Sequence, residues 1–259
     1  MILPRIIPCL LLFNDGLVKT IHFKNYKYLG DPINIVKIFN EKEVDELVLL
    51  DITATTSGKR PPFELLEKLA GEAFMPVGYG GGIRSMEDIK IILGLGIEKI
   101  IINTYAIENP SFISHVAAFA GSQSTVVSMD VKKSFFGKYE VRSHRGKKAT
   151  GWDPVDFAVK MEKEGAGELL LCAIDRDGTM KGYDIDLISR VSAAFNIPVV
   201  ACGGSRNVND LKAAIAQGGA SAAGAASMFV FQGPHHAVLI NYPPYKELND
   251  IFKDNNGTE

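Results

Sequence analysis

Apolar residues in this chain fall in short, nearly unbroken runs, separated by amphipathic stretches of helical period. Ile6–Leu12 reads as a first strand, and Asp31-Pro32 opens a helix that reaches Glu43. Strands follow at Glu46–Leu50, Pro76–Gly78 and Lys99–Ile102, each with a helix behind it at Phe63–Ala70, Met86–Leu93 and Pro110–Phe119. The series then restarts. Strands at Thr125–Met129, Glu168–Ile174, Pro198–Ala201 and, more weakly, Ser221–Gly224 alternate with helices at Asp153–Glu164, Asp184–Phe195, Val208–Gln217 and Ser227–Phe231. A last helix is expected at Tyr245–Phe252, and the basic, aromatic excursion Val131–Thr150 reads as a hairpin turning near Gly137. Strands apolar on both faces belong in a parallel sheet covered by helices on each side. Eight strand–helix units in about 250 residues predict an α/β fold of the (βα)8 TIM-barrel type. An open doubly wound sheet is the rival, and both the count of eight and the two-fold repeat described next favour the barrel.

The repeat is carried by glycines. Val77-Gly-Tyr-Gly-Gly-Gly-Ile-Arg84 leads into a Ser85-x-x-Asp88 helix start, and Ile197-Pro-Val-Val-Ala-Cys-Gly-Gly-Ser-Arg206 repeats the pattern in the second half, again before a helix. The chain is accordingly read as one barrel domain over 1–259, with half-repeats of about 1–120 and 121–231 and a divergent tail, 232–259. Consecutive glycines let backbone N–H groups close on an anion, and a helix N-terminus adds a favourable dipole. The plainer possibility is a pair of tight turns with no ligand.

Composition narrows the function classes. A net charge of −2 over 259 residues argues against a nucleic-acid or membrane-surface role. The apolar stretch 2–13 lacks the basic start and small-x-small cleavage site of a signal peptide and reads as a first buried strand, and 218–231 is short and rich in Gly and Ala, so no membrane span is expected. Cys9, Cys172 and Cys202 lie far apart in apolar runs, as expected of reduced, buried thiols in a cytoplasmic protein. The histidines have no metal-ligand spacing, so neither metal nor cofactor is expected.

Active sites of such barrels sit at the C-terminal strand ends. Those ends carry Leu11, Asp51, Gly80–Gly82, Thr104, Asp130, Asp175, Gly203-Gly204 and Ser227. Superposing the halves sets Asp51 against Asp175, Gly80–Gly82 against Gly203-Gly204, and Thr104 against Ser227. Two anion sites facing each other would suit an elongated ligand with a phosphate at each end. Asp130 is placed between them as a general acid or base, or as a structural acid taking backbone N–H bonds. Lys19, on a loop after Asn14-Asp15-Gly16, either binds phosphate or is solvated. In Asp175-Arg-Asp177-Gly178-Thr179 the glycine and hydroxyl suit phosphate, and the aspartates could orient ligand or loop. The superposition also exposes an absence: the first-half counterpart of Asp130 is Leu11, within Leu10-Leu11-Leu12.

Arg5-Ile6-Ile7-Pro8-Cys9-Leu10, Leu50-Asp51-Ile52-Thr53-Ala54, Gly80-Gly-Gly-Ile-Arg-Ser85, Ile102-Asn103-Thr104 and Asp175-Arg-Asp-Gly-Thr179-x-x-Gly182-Tyr-Asp184 closely resemble the cyclase subunit of imidazole glycerol phosphate synthase, the HisF family. The resemblance runs from about Arg5 to Phe231. It implies a glutaminase (HisH-like) partner at the barrel floor. Ammonia from that partner crosses the barrel to a bis-phosphorylated ribulosyl imidazole-carboxamide, PRFAR, giving imidazole glycerol phosphate and an aminoimidazole carboxamide ribotide, AICAR, in histidine biosynthesis. It assigns Asp130 as a catalytic acid and Lys19 as the loop lysine. Phosphate or substrate contacts fall on Asp51, Gly81, Gly82, Asn103, Thr104, Asp177, Gly178, Gly203, Gly204 and Ser227. It implies an ammonia gate of Arg5, Glu46, Lys99 and Glu168, which without the resemblance reads as a salt-bridge cluster closing the floor.

The resemblance also marks two departures. Leu11 stands where the family has its first catalytic aspartate, and loss of one positioned acid or base typically costs about 10²–10⁴-fold. The tail from Phe231 is similar instead to a paralogous branch found with polysaccharide genes. There, a HisF-like barrel and a glutaminase are thought to feed ammonia to a sugar-amidating enzyme that converts an acetamido group to acetamidino. The sister isomerase of histidine biosynthesis also needs an acid at the first strand end, so Leu11 counts against it equally.

Overall fold

The computed structural model describes residues 3–253. Both ends of the expected 1–259 domain, including residues 254–259 of the tail, lie outside the described residues. Eight strands, β1 (Arg5–Phe13), β2 (Leu47–Asp51), β3 (Val77–Gly80), β4 (Lys99–Ile102), β5 (Thr125–Lys133), β6 (Glu168–Ala173), β7 (Val199–Cys202) and β8 (Ala222–Ala225), pair in parallel in chain order. Strand β8 returns to β1 through Arg5↔Ala222 to Pro8↔Ala225 and closes a (βα)8 barrel. The expected open-sheet rival is excluded by that closure.

Alternation along each strand sorts side chains to two cores. Outward residues pack under the helices in one continuous cluster, in which Phe39, Leu66, Phe157 and Leu187 are almost fully buried. Burying each such side chain contributes about 1.5–3 kcal/mol. Inward residues Ile7, Val48, Ile101, Val126, Leu170, Val200 and Ala222 form a separate apolar layer inside the barrel. The layer divides a charged floor from a polar mouth.

Helix starts follow local chemistry. Asp31 caps Pro32–Glu41 by accepting from Asn34 N–H, with Pro32 in the first turn where a missing N–H costs nothing. The Ser85-x-x-Asp88 start forms a reciprocal capping box on Met86–Gly94, and Asn207-x-x-Asp210 forms its counterpart on Val208–Ala216.

Departures from the sequence reading lie in the loops. Short helices occupy Ala54–Ser57 and Thr104–Glu108, and a small ribbon pairs Phe231–Gln232 with Ala237–Val238. The Val131–Thr150 excursion is a hairpin as expected, β5 pairing with Tyr139–Ser143 around Gly137 at φ +80°, extended by a further pairing with Lys148–Ala149. The segment after Asn14-Asp15-Gly16 is not a free loop. Gly16–Ile21 pairs with β1 and with Lys24–Gly30 as an antiparallel hairpin over one side of the mouth. The outer strand exposes its first five residues, so it carries no apolar alternation to reveal it. No helix among the described residues is long and apolar enough to cross a membrane.

Candidate active site at the barrel mouth

A cleft of about 1330 Å³, counting its open mouth, sits over the C-terminal strand ends. Its walls contain Leu11, Lys19, Asp51, Gly81, Gly82, Asn103, Thr104, Asp130, Asp177, Gly178, Gly203, Gly204 and Ser227, whereas Asp175, also placed at a strand end from the sequence, lies outside it. Barrel closure brings them together from eight strand ends.

The glycine turns are required by packing as well as suited to anions. A Cβ on Gly81 would lie 2.5 Å from the Asp51 carbonyl oxygen, and one on Gly204 only 2.2 Å from that of Gly182. Both residues also have positive φ, +129° and +111°. Each turn is thus pressed onto the preceding strand-end loop, and the two halves do it alike. Two N–H groups near these turns already have partners: Gly82 donates to Thr55 Oγ1 at 3.3 Å, and Gly182 donates to the Gly204 oxygen at 2.9 Å.

The hydroxyls differ between halves. Thr104 Oγ1 accepts from the His144 N–H at 3.1 Å and lies 3.3 Å from Asn103 Oδ1. Ser227 Oγ is buried in the cleft wall with no hydrogen-bond partner among the described residues. A buried hydroxyl left unpaired costs free energy, and a bound oxyanion would satisfy it.

Lys19 requires a correction. It is a strand residue, 5% exposed, and its Nζ lies 2.6 Å from Asp177 Oδ1. Asp177 Oδ2 accepts from Thr20 Oγ1 at 2.7 Å and from the Phe23 N–H at 3.3 Å, while its carbonyl oxygen accepts from the His22 N–H at 3.0 Å. Asp177 therefore pins the hairpin tip, where His22 and Phe23 both adopt positive φ. In this state the lysine is neither solvated nor free, and the aspartate holds a loop. Asp51 is similarly engaged: its Oδ1 accepts from Thr53 N–H and Oγ1 and from Ala54 N–H, starting the Ala54–Ser57 turn. Asp175 accepts from the Lys133 N–H at 2.7 Å.

Asp130 is different. Burial, reinforced by negative charge at Cys202 and Asp177 and opposed by a hydrogen bond from Asn103, pushes its carboxyl up to about 7. A carboxyl poised there exchanges protons readily near neutral pH. Strands β1 and β5 stand four apart in a ring of eight, so Leu11 faces it from across the mouth with an apolar side chain.

Arg5, Glu46, Lys99 and Glu168 lie at the opposite strand ends. Arg5 pairs with both Glu46 and Glu168, and Lys99 Nζ lies 2.8 Å and 2.7 Å from the same two carboxylates. The four form a closed ring of no net charge, with both glutamates nearly fully buried. Burial works against the Arg5 cation, but hydrogen bonds and charge from Glu168 and Glu46 outweigh it and raise its pKa.

Some wall residues escaped the sequence reading. Arg84 and Arg145 bring cations to the cleft, and Cys9, Cys172 and Cys202 line it together. Arg84 directly follows the glycine turn and was legible there. Arg145 sits at positive φ in the second turn of the Val131–Thr150 excursion, whose direction no linear pattern records. Among the described residues, no group of three or more His, Cys, Asp or Glu could hold a metal ion.

A family model described as histidine biosynthesis protein matches residues 5–234. Three relatives are similar over most of their length. A Leptospira interrogans protein, provisionally named imidazole glycerol phosphate synthase subunit HisF, is 48% identical over 253 residues, covering 97% of this chain and 100% of its own. A Pseudomonas aeruginosa protein, provisionally named subunit HisF2 of the same synthase, is 47% identical over 249 residues, 96% and 99% of the two chains. Imidazole glycerol phosphate synthase subunit HisF of Alkaliphilus metalliredigens is 43% identical over 229 residues, 88% and 91%.

Proposed function

Because the chain belongs to the histidine biosynthesis protein family, as a barrel of HisF type, we propose that it is the ammonia-accepting subunit of a complex with a HisH-like glutaminase, and that it delivers ammonia for acetamidino modification of a surface-polysaccharide sugar. The observation that carries this reading is Leu11, an apolar side chain across the mouth from Asp130. Chemistry that needs proton transfer on both faces of a ligand lacks one of its two groups. The features that ammonia delivery needs are kept: a charged ring at the floor, an apolar layer above it, and a polar mouth.

The proposed path starts at a glutaminase docked under the ring of Arg5, Glu46, Lys99 and Glu168. Ammonia crosses the ring and the layer of Ile7, Val48, Ile101, Val126, Leu170, Val200 and Ala222, and emerges beside Asp130. A phosphorylated ligand bridges the mouth. One phosphate sits at Gly203, Gly204 and Ser227, where the unpartnered Ser227 hydroxyl favours an oxyanion. The other sits near Gly81, Gly82, Asn103 and Thr104, with Arg84 within reach. Gly178 and Asp51 shape the walls between, and a sugar-amidating enzyme would collect the ammonia above.

A second reading is the cyclase reaction itself, PRFAR and ammonia to imidazole glycerol phosphate and AICAR, in histidine biosynthesis. Retention of Asp130, with its carboxyl near 7, favours it. The two readings separate in one assay: the purified chain and a Leu11→Asp variant given PRFAR with an ammonium salt. The conduit reading expects the variant to exceed wild type by about 10²-fold or more, since an acid is restored opposite Asp130. Measurable wild-type turnover close to that of the variant sinks the conduit reading, and no turnover in either sinks the cyclase reading.

A further inference from the structure

Three cysteines that are remote in sequence meet inside the barrel. Cys9 on β1, Cys172 on β6 and Cys202 on β7 all line the mouth cleft. Cys172 and Cys202 are direct partners in the parallel β6–β7 ladder. Neighbouring strands run about 4.7–4.9 Å apart, within the about 4.4–6.8 Å between Cα atoms that a disulfide spans.

On its other side Cys202 pairs with Gly224 of β8. A Cβ there would lie 2.8 Å from Cys9 Sγ. The absent side chain leaves the space through which Cys9 Sγ, from β1, reaches across β8 towards Cys202. The Cys9 thiol donates to the Ile7 carbonyl oxygen at 3.6 Å, and the neighbouring Cys172 and Cys9 sulfurs lower the pKa of the Cys202 thiol well below its usual range against the effect of burial. Those two thiols are pushed up, by the neighbouring Cys202 sulfur and by burial. Cys9 and Cys172 are 3% and 9% exposed, and Cys202 is the most accessible of the three. The more accessible sulfur at an open cleft, with a second cysteine opposite it on the adjacent strand, is the arrangement of a reactive cysteine with a resolving partner.

We propose that Cys202 is a nucleophilic modification site for soft electrophiles of the peroxide class, with Cys172 as its resolving thiol. The Cys202 thiolate attacks one oxygen of hydrogen peroxide and breaks the O–O bond. The sulfur loses two electrons and becomes a sulfenic acid, and the peroxide leaves as hydroxide, which is protonated to water. The Cys172 thiol then attacks the sulfenic sulfur, an S–S bond forms, and the hydroxyl departs with the thiol proton as a second water. Asp130 is the direct neighbour of Cys172 across the β5–β6 ladder. Oxidation therefore removes a negative charge beside the one poised carboxyl in the mouth. This inference rests on the three cysteines themselves and holds whichever reaction the mouth supports.

The test is to dose the folded, reduced chain with hydrogen peroxide and map its cysteines by non-reducing peptide mass spectrometry. Expected results are a Cys172–Cys202 linked peptide in wild type, a dimedone adduct on Cys202 in Cys172→Ser, and thiol loss slowed at least about tenfold in Cys202→Ser, since the thiolate is the reacting species. If Cys202→Ser does not fold, limiting iodoacetamide on wild type gives the answer instead, with Cys202 alkylated ahead of Cys9 and Cys172. All three thiols surviving peroxide in the folded chain would overturn the proposal. So would equal rates at the three sulfurs.

Discussion

Asp130 shows how a single residue acquires chemistry from the fold around it. A carboxyl in an unfolded chain ionises near about 3.9, whereas burial and its charged neighbours push this one up to about 7. Between those values the folded chain holds a proton that the unfolded chain has released, so stability must fall as pH rises through that window. Asp130→Asn removes the dependence. Relative to wild type, the variant is expected to gain up to about 1.4 kcal/mol for each unit between about pH 4 and 7, read from denaturation midpoints across that range. Parallel midpoint curves would show that Asp130 ionises as freely folded as unfolded. That Asp130 faces the mouth was legible from its strand-end position. Its raised pKa was not, because Cys202 and Asp177 come from other strand ends. Lys19 shows the converse. Its sequence context suggested a solvated or phosphate-binding cation, and only the fold supplies Asp177 as its buried partner.

At the scale of elements, the strands were readable because a parallel barrel makes them apolar on both faces, and the two helix starts after the glycine turns were readable through their caps. Ser85-Met86-Glu87-Asp88 and Asn207-Val208-Asn209-Asp210 form matching reciprocal boxes. Replacing either cap, as in Ser85→Ala or Asn207→Ala, is expected to cost about 1 kcal/mol, seen as a lowered thermal midpoint. Equal losses at the two sites would fit two half-barrels built on one plan, which we propose for residues of about 1–120 and 121–231. The Gly16–Gly30 hairpin was hidden because its outer strand is polar and exposed, and because its anchor lies 154 to 158 residues away in sequence. Asp177 holds that hairpin through Lys19, Thr20 and the backbone of His22 and Phe23. Asp177→Ala would strand Lys19 as an unpaired buried cation, a loss of about 3–5 kcal/mol. Limited proteolysis should then cut at His22-Phe23 in the variant and spare wild type; resistance in both would show that strand pairing alone suffices.

For the whole molecule, the ring of Arg5, Glu46, Lys99 and Glu168 poses the question of whether buried charge at the barrel floor serves stability or passage. Two carboxylates and two cations in a closed cycle satisfy one another, yet burying the glutamates and Lys99, with Arg5 still partly exposed, costs about as much as their attraction returns. Breaking the ring is another matter: Lys99→Ala leaves both glutamates facing only Arg5, at an expected cost of about 3–5 kcal/mol. Replacing the entire ring by apolar side chains of similar size, Arg5→Met with Glu46→Leu, Lys99→Met and Glu168→Leu, should leave stability equal to that of wild type or raise it by about 1–4 kcal/mol. If it does, the charges are dispensable to the fold, and their retention supports a role in docking a glutaminase or admitting ammonia. The apolar floor should then abolish glutamine-driven nitrogen delivery while leaving the mouth open to free ammonium, because only the first source lies below the ring. A fourfold variant as unstable as Lys99→Ala would assign the ring to the fold, and the conduit would lose its strongest structural support.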